Sequence, residues 1–148
     1  MFGQNWEVIN LDLRGNLPNF ISNFLKNRTF QVKILNTLSD DFIQEEGVPQ
    51  GSVLSVTLFS IKINEILNQL PPSVKGCLYV GDLTVWCQCK DIRYAERQLQ
   101  IAVKNIENWC NKNGFRLSEE KSRCVHFCRL RKFHADPEIN IKGRAIPI

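Results

Sequence analysis

The chain is expected to fold as an α+β domain in which an antiparallel sheet carries two long helices on one face. Two observations lead there. Apolar residues return at helical spacing in two long stretches, residues 52–70 and 91–114, each with its own start and stop signals. Around them lie short apolar or alternating runs separated by turn residues, the mark of hairpins. A length of 148 residues suits one domain that buries a core without disulfide or metal staples. A hydrophobic content of 43% and a charged content of 23% are those of an ordinary globular chain.

Taken in order, Leu17, Phe20, Ile21, Phe24 and Leu25 define a first helix, with Pro18 suited to its first turn and an end near Arg28. Phe30, Val32 and Ile34 alternate with Gln31 and Lys33 as in a half-buried strand. Residues 36–41 are turn chemistry, with Ser39-Asp40-Asp41 at the hairpin tip, and 42–44 return as its second strand. Ser52 is a good N-cap for a helix carrying Leu54, Leu58 and Ile61 onward to Leu70, where Pro71-Pro72 stops it.

Residues 77–80 and 83–87 read as two strands about a Gly81-Asp82 tip. Asp91 can cap a long helix that buries Ala95, Leu99, Ala102, Val103, Ile106, Trp109 and Cys110, and Gly114 closes it with a left-handed cap. Residues 115–117 and 123–129 read as strands, and 139–148 as a closing hairpin turning at Lys142-Gly143.

No basic-then-apolar leader opens the chain, and no uncharged apolar run is long enough to span a bilayer. An intracellular setting, nucleus or cytoplasm, is therefore expected, with no membrane partner. The six cysteines then read as thiols. A net charge of +4 and a pI near 8.8 are compatible with a polyanionic partner and equally with an ordinary basic surface.

The most specific segment is Gly47-Val48-Pro49-Gln50-Gly51-Ser52. Its glycines leave the backbone bare for close approach, the following helix N-terminus offers unpaired N–H groups, and Gln50 can both donate and accept. On these residues alone a tight helix-opening turn without a ligand stays open. With Val53-Leu54-Ser55 and Leu58-Phe59 after it, the segment resembles motif B of the reverse transcriptases of non-LTR retrotransposons, notably the jockey-like group. Residues 15–30 resemble the fingers-to-palm segment of the same family; Val56 replaces a customary proline.

The resemblance implies a polymerase palm-type sheet with part of the fingers. It implies partial fingers over 1–45, palm motifs B, C and D over 46–131, and a primer-grip-like hairpin over 132–148, within one reverse transcriptase domain. By it, Pro49, Gln50, Gly51, Ser52 and Tyr79 contact template and nucleotide, and the partners are an RNA template, a DNA primer and dNTPs.

Tyr79-Val80-Gly81-Asp82-Leu83 resembles motif C, where the family has two adjacent aspartates. Nucleotidyl transfer by two Mg²⁺ ions needs several carboxylates, because one cannot hold both ions. Here the first of the pair is Gly81, and Asp82 alone is left as metal ligand and catalytic group. Asp12 imitates a motif A aspartate but precedes the 15–30 match too closely, so the chain is expected to start after motif A. RNA-directed DNA polymerase activity is accordingly expected to be impaired.

Lys121 matches the motif D lysine, a proton donor or point charge for the departing pyrophosphate; taken alone, it is a solvated lysine beside Glu119 and Glu120. Arg129, Arg131 and Lys132 form a short basic run suited to phosphates or simply to solvent. Cys124, His126 and Cys128 alternate and, with Cys110, imitate a zinc site. No Cys-x-x-Cys pair accompanies them, so they read as small buried side chains, as do Cys87 and Cys89. The alternative of another class is a non-enzymatic nucleic-acid-binding or interaction module on the same scaffold.

Overall fold

The computed structural model describes residues 14–44, 47–129 and 134–148, and the chain divides into two compact units, Met1–Lys62 and Ile63–Ile148. The fold is α+β with antiparallel strand pairs. The strands form four separate two-stranded ladders among the described residues, where the sequence suggested one sheet. Asp12, Arg131 and Lys132 lie outside the described residues.

In the first unit, α1 (Leu17–Leu25) has Pro18 in its first turn and buries Ile21. The strand expected over 30–34 is split into β1 (Thr29–Phe30) and β2 (Lys33–Ile34). β2 pairs with β3 (Thr37–Leu38) and β1 with β4 (Phe42–Ile43), where Phe30 and Phe42 stack at 5.6 Å. The cause is local. The Val32 N–H donates to Ser39 Oγ (2.9 Å) and the Ser39 N–H to the Val32 carbonyl (3.0 Å), so a hydroxyl interrupts the backbone ladder.

All four of these strands are exposed, so no buried face enforces a continuous register, and the expected half-burial is not met. Ser39-Asp40-Asp41 is not the tip either. The chain reverses at Leu35-Asn36, with Leu35 at φ 53°.

Helix α2 (Val53–Asn64) starts directly after Ser52. The stretch expected to continue as α-helix to Leu70 tightens into a 3-10 turn, Glu65–Gln69. Leu70 is extended (ψ 136°), the conformation forced on a residue that precedes proline.

The second unit is organised by α3 (Ile92–Asn113). Asp91 Oδ1 accepts from the N–H groups of Arg93 (2.9 Å) and Tyr94 (3.3 Å), and Gly114 closes the helix at φ 75°. Its buried residues are Ala102, Val103, Ile106, Glu107, Trp109 and Cys110. Against it lie the 3-10 turn, β5 (Val74–Tyr79), β6 (Asp82–Cys87) and β7 (Asn140–Ile141). β7 pairs with β8 (Arg144–Ala145) through a turn whose two residues, Lys142 and Gly143, both have positive φ, as a tight hairpin of the right twist requires.

Residues 115–117 and 123–129 are not strands. Phe115 stacks on Trp109 at 5.1 Å, and the Cys124 N–H bonds to the Pro147 carbonyl (2.8 Å) without a ladder developing. Phe127 is 92% exposed, so an alternating pattern alone does not secure a partner strand. Among the described residues, no helix is long and apolar enough to cross a membrane.

Candidate functional site

The 47–52 loop is shaped by two left-handed glycines, Gly47 at φ 78° and Gly51 at φ 86°. A Cβ at either would meet nothing within 4 Å, so backbone conformation and not crowding selects glycine there. The loop is tied down from α1's end: Arg28 Nη2 donates to the Gly47 carbonyl (2.7 Å) and Nε to the Leu25 carbonyl (3.0 Å). Pro49, Gln50, Gly51 and Ser52 thus stand together in one short turn, and the Ser55 N–H bonds back to the Ser52 carbonyl (3.2 Å) as α2 begins. Arg28's anchoring role was not legible in the sequence; an arginine after a helix carries no signal of which carbonyl it will reach.

The β5–β6 hairpin has six cross-strand pairs, from Val74↔Cys87 to Tyr79↔Asp82. Burial alternates along both strands. Gly76, Leu78, Leu83 and Val85 share the more buried face; Lys75, Cys77, Tyr79, Asp82, Thr84 and Trp86 share the exposed one. Leu67 and Leu70 pack onto the bare backbone of Gly76: a Cβ there would lie 2.6 Å from Leu70 Cδ1 and 3.2 Å from Leu67 Cδ2, so those side-chain ends would have to shift to admit one.

The tip is Val80-Gly81, one residue earlier than expected, and Asp82 opens β6 opposite Tyr79. Tyr79 is 79% exposed and Val80 71%. The positive φ of the turn, 55°, falls on Val80, a β-branched residue that disfavours it. Gly81 has no such φ, and a Cβ built there meets nothing within 4 Å, so the backbone would accept an aspartate.

Tyr79 and Asp82 are therefore brought together, while Lys121 stands in a separate turn after α3, where the Ser122 N–H bonds to the carbonyls of Ser118 and Glu119. Among the described residues Asp82 belongs to no group of three metal-ligating side chains. Mg²⁺ wants several hard oxygen ligands, so the residues described at this hairpin do not fit a pair of such ions.

All six cysteines are thiols. Burial, then neighbouring Glu107, pushes the Cys110 thiol up from its usual range; burial, then Cys89, does the same to Cys87. Cys89 and Cys128 are exposed, against the expectation of buried side chains.

A third element escaped sequence reading. Gln100 of α3 pairs with the backbone of β7 as a neighbouring strand would: its Nε2 donates to the Asn140 carbonyl (2.9 Å) and its Oε1 accepts the Asn140 N–H (2.8 Å). Seven residues further along α3, about two turns, buried Glu107 accepts the Lys142 N–H through Oε1 (2.5 Å).

A family profile described as reverse transcriptase (RNA-dependent DNA polymerase) matches residues 7–143. The chain belongs to the reverse transcriptase family, whose members generally use a divalent metal.

It is 28% identical over 132 residues to the RNA-directed DNA polymerase from mobile element jockey of Drosophila melanogaster, covering 85% of this chain and 14% of that protein. It is 29% identical over 80 residues to a retrovirus-related Pol polyprotein from type-1 retrotransposable element R1 2 of Nasonia vitripennis, covering 53% of this chain and 20% of that protein. It is 25% identical over 108 residues to the probable RNA-directed DNA polymerase from transposon BS of Drosophila melanogaster, covering 69% and 12%. The chain thus spans between about one eighth and one fifth of the length of these relatives. No solved structure matches.

Proposed function

We propose that the chain is the nucleic-acid-contacting part of a jockey-like retrotransposon reverse transcriptase, with RNA-directed DNA synthesis impaired by the loss of more than one metal ligand, one of them at Gly81. The observation that carries this reading is the β5–β6 hairpin. It presents Tyr79 and Asp82 as cross-strand partners on an exposed face, with glycine immediately before the aspartate. In this reading the hairpin belongs to a polymerase palm, preceded by part of the fingers over 1–45 and followed by a primer-grip-like hairpin over 132–148. Pro49, Gln50, Gly51 and Ser52 contact template and incoming dNTP, Tyr79 lies under the nucleotide sugar, and Lys121 assists the leaving pyrophosphate. Asp82 is the motif C ligand that is left for Mg²⁺. The setting is the nucleus or cytoplasm.

The family's two-metal transfer draws on adjacent carboxylates, and replacing the first by hydrogen removes a ligand that Asp82 cannot replace. Contact with an RNA–DNA duplex depends on shape and phosphates, so it can outlast the carboxylate.

The test is primer extension on an RNA template with an annealed DNA primer, in Mg²⁺ and Mn²⁺, alongside heteroduplex binding at several salt concentrations. The unmodified chain, Gly81→Asp and Asp82→Ala are compared. None is expected to extend the primer, whereas all three are expected to bind the duplex with an affinity that falls steeply with salt and needs no metal. Templated extension by the unmodified chain that Asp82→Ala abolishes would overturn the impairment. Failure to bind duplex at low salt would overturn the nucleic-acid role. Rescue by Gly81→Asp alone would assign the whole defect to that residue.

A further inference from the structure

We propose that His126, Cys128 and His134 form a site for a borderline-soft divalent cation of the Zn²⁺ type, with Asp136 orienting His126. One ligand atom from each of the three side chains lies within 4.8 Å of the other two. Around a tetrahedral ion with Zn–N of about 2.0–2.1 Å and Zn–S of about 2.3 Å, ligand atoms sit roughly 3.3–3.8 Å apart. The cluster therefore needs to close by only about 1 Å.

Two imidazoles and a thiolate are a donor set that selects Zn²⁺ and its neighbours over Mg²⁺ or Ca²⁺. The site is thus chemically distinct from the carboxylate site expected at Asp82. It also stands whether or not the chain polymerises anything.

The surroundings are those of a metal-binding histidine. His126 Nδ1 lies 2.8 Å from Asp136 Oδ1. A carboxylate accepts, so this bond puts the proton on Nδ1 and makes Nε2 the metal-binding nitrogen. This is the carboxylate–histidine arrangement that fixes tautomer and ring orientation at metal centres. The His126 and His134 rings approach to 5.2 Å between centroids at 83°, near enough to converge on one ion without stacking. Cys128 is exposed, which leaves the cation a route from solvent.

Cys124 is not part of the set. It packs on the Val103, Ile139 and Ile141 cluster, and burial, then Asp136, disfavours its thiolate. Cys110 is buried in α3 and equally unsuited. The grouping suggested by spacing, Cys110 with 124, 126 and 128, is replaced by one in which a second histidine, eight positions after the first, completes the set. Water is the natural fourth ligand. Binding releases the Cys128 thiol proton to solvent as the thiolate–metal bond forms. The ion would clip 126–128 to 134–136, just ahead of β7, where no strand pairing does so among the described residues.

Co²⁺, a visible stand-in for Zn²⁺, tests this on the full chain under a non-thiol reductant. Expected are a one-to-one thiolate-to-cobalt charge-transfer band and intense tetrahedral d–d absorption, both displaced by Zn²⁺. Cys128→Ser should abolish the charge-transfer band, and His134→Ala the tetrahedral d–d absorption. Asp136→Asn should weaken affinity about 10- to 100-fold. Cys124→Ser and the double variant Cys87→Ser/Cys89→Ser should keep both signals. Far-UV circular dichroism of the metal-free variants checks folding, and the exposure of Cys128 makes its serine variant a safe probe. Absence of the bands in the unmodified chain overturns the site. So does their survival in Cys128→Ser, or their loss in the Cys87/Cys89 double variant.

Discussion

Two hairpins lie against α3, and they are held by different means. The β5–β6 hairpin has six residue pairs and an alternating burial pattern, so its own ladder and one apolar face fix its register. The β7–β8 hairpin has two pairs. What it lacks in ladder it receives from α3, through the Gln100 amide, the Glu107 carboxylate and the burial of Ile139 and Ile141 beside Val103. A long hairpin is thus specified mostly by its own residues, whereas a short one is specified by the helix it meets.

Ile141→Ala gives the largest expected separation between the two. Ile141 is 5% exposed, and its truncation should cost about 2–5 kcal/mol in chemical denaturation. Tyr79→Ala, on the exposed face of the other hairpin, should stay within about 0.5 kcal/mol. Equal losses would break the contrast.

Gln100→Ala removes both hydrogen bonds to Asn140 and should cost about 1–3 kcal/mol. Amide hydrogen exchange sharpens the point: the Asn140 amide should exchange faster in that variant, with the β5–β6 ladder amides unchanged. Acceleration in both ladders would mean that the hairpins open as one unit.

The smallest effect is at the β5–β6 tip. Val80 holds φ at 55°, so Val80→Gly should raise stability by about 1 kcal/mol in thermal denaturation. A decrease would mean that the valine side chain contributes more than its backbone strain costs.

Much of this was legible because local chemistry carried it. Asp91 and Gly114 frame α3 because caps act on the nearest turn, and the buried residues Ala102, Val103, Ile106, Trp109 and Cys110 follow from a strict helical period. Pro71 stops the preceding helix, yet its last turn tightens to 3-10, a detail below the resolution of spacing. The strand expected over 30–34 failed because both faces are exposed, so alternation had no core to choose between. Residues 123–129 failed similarly: Val125 and Phe127 are apolar, but exposure at 67% and 92% shows that no sheet covers them.

For the candidate site, the 47–52 loop and the existence of the β5–β6 hairpin were readable, since turn residues are local signals; the register was not, and it places Asp82 opposite Tyr79 where the sequence suggested the tip. The Arg28 bond to Gly47 spans 19 positions and the Gln100 bonds to Asn140 span 40. No local pattern encodes either distance.

By itself the sequence determined the family, the α+β class, the capped long helix and the glycine that stands directly before Asp82, because each is written in neighbouring residues. Only the tertiary structure decided that, among the described residues, four separate ladders stand where one sheet was expected, that Gln100 and Glu107 dock the last hairpin, and that His134 joins His126 and Cys128. Those outcomes depend on which distant side chains chain folding brings within a few ångströms, and hydrogen bonds and metal coordination act only at that range.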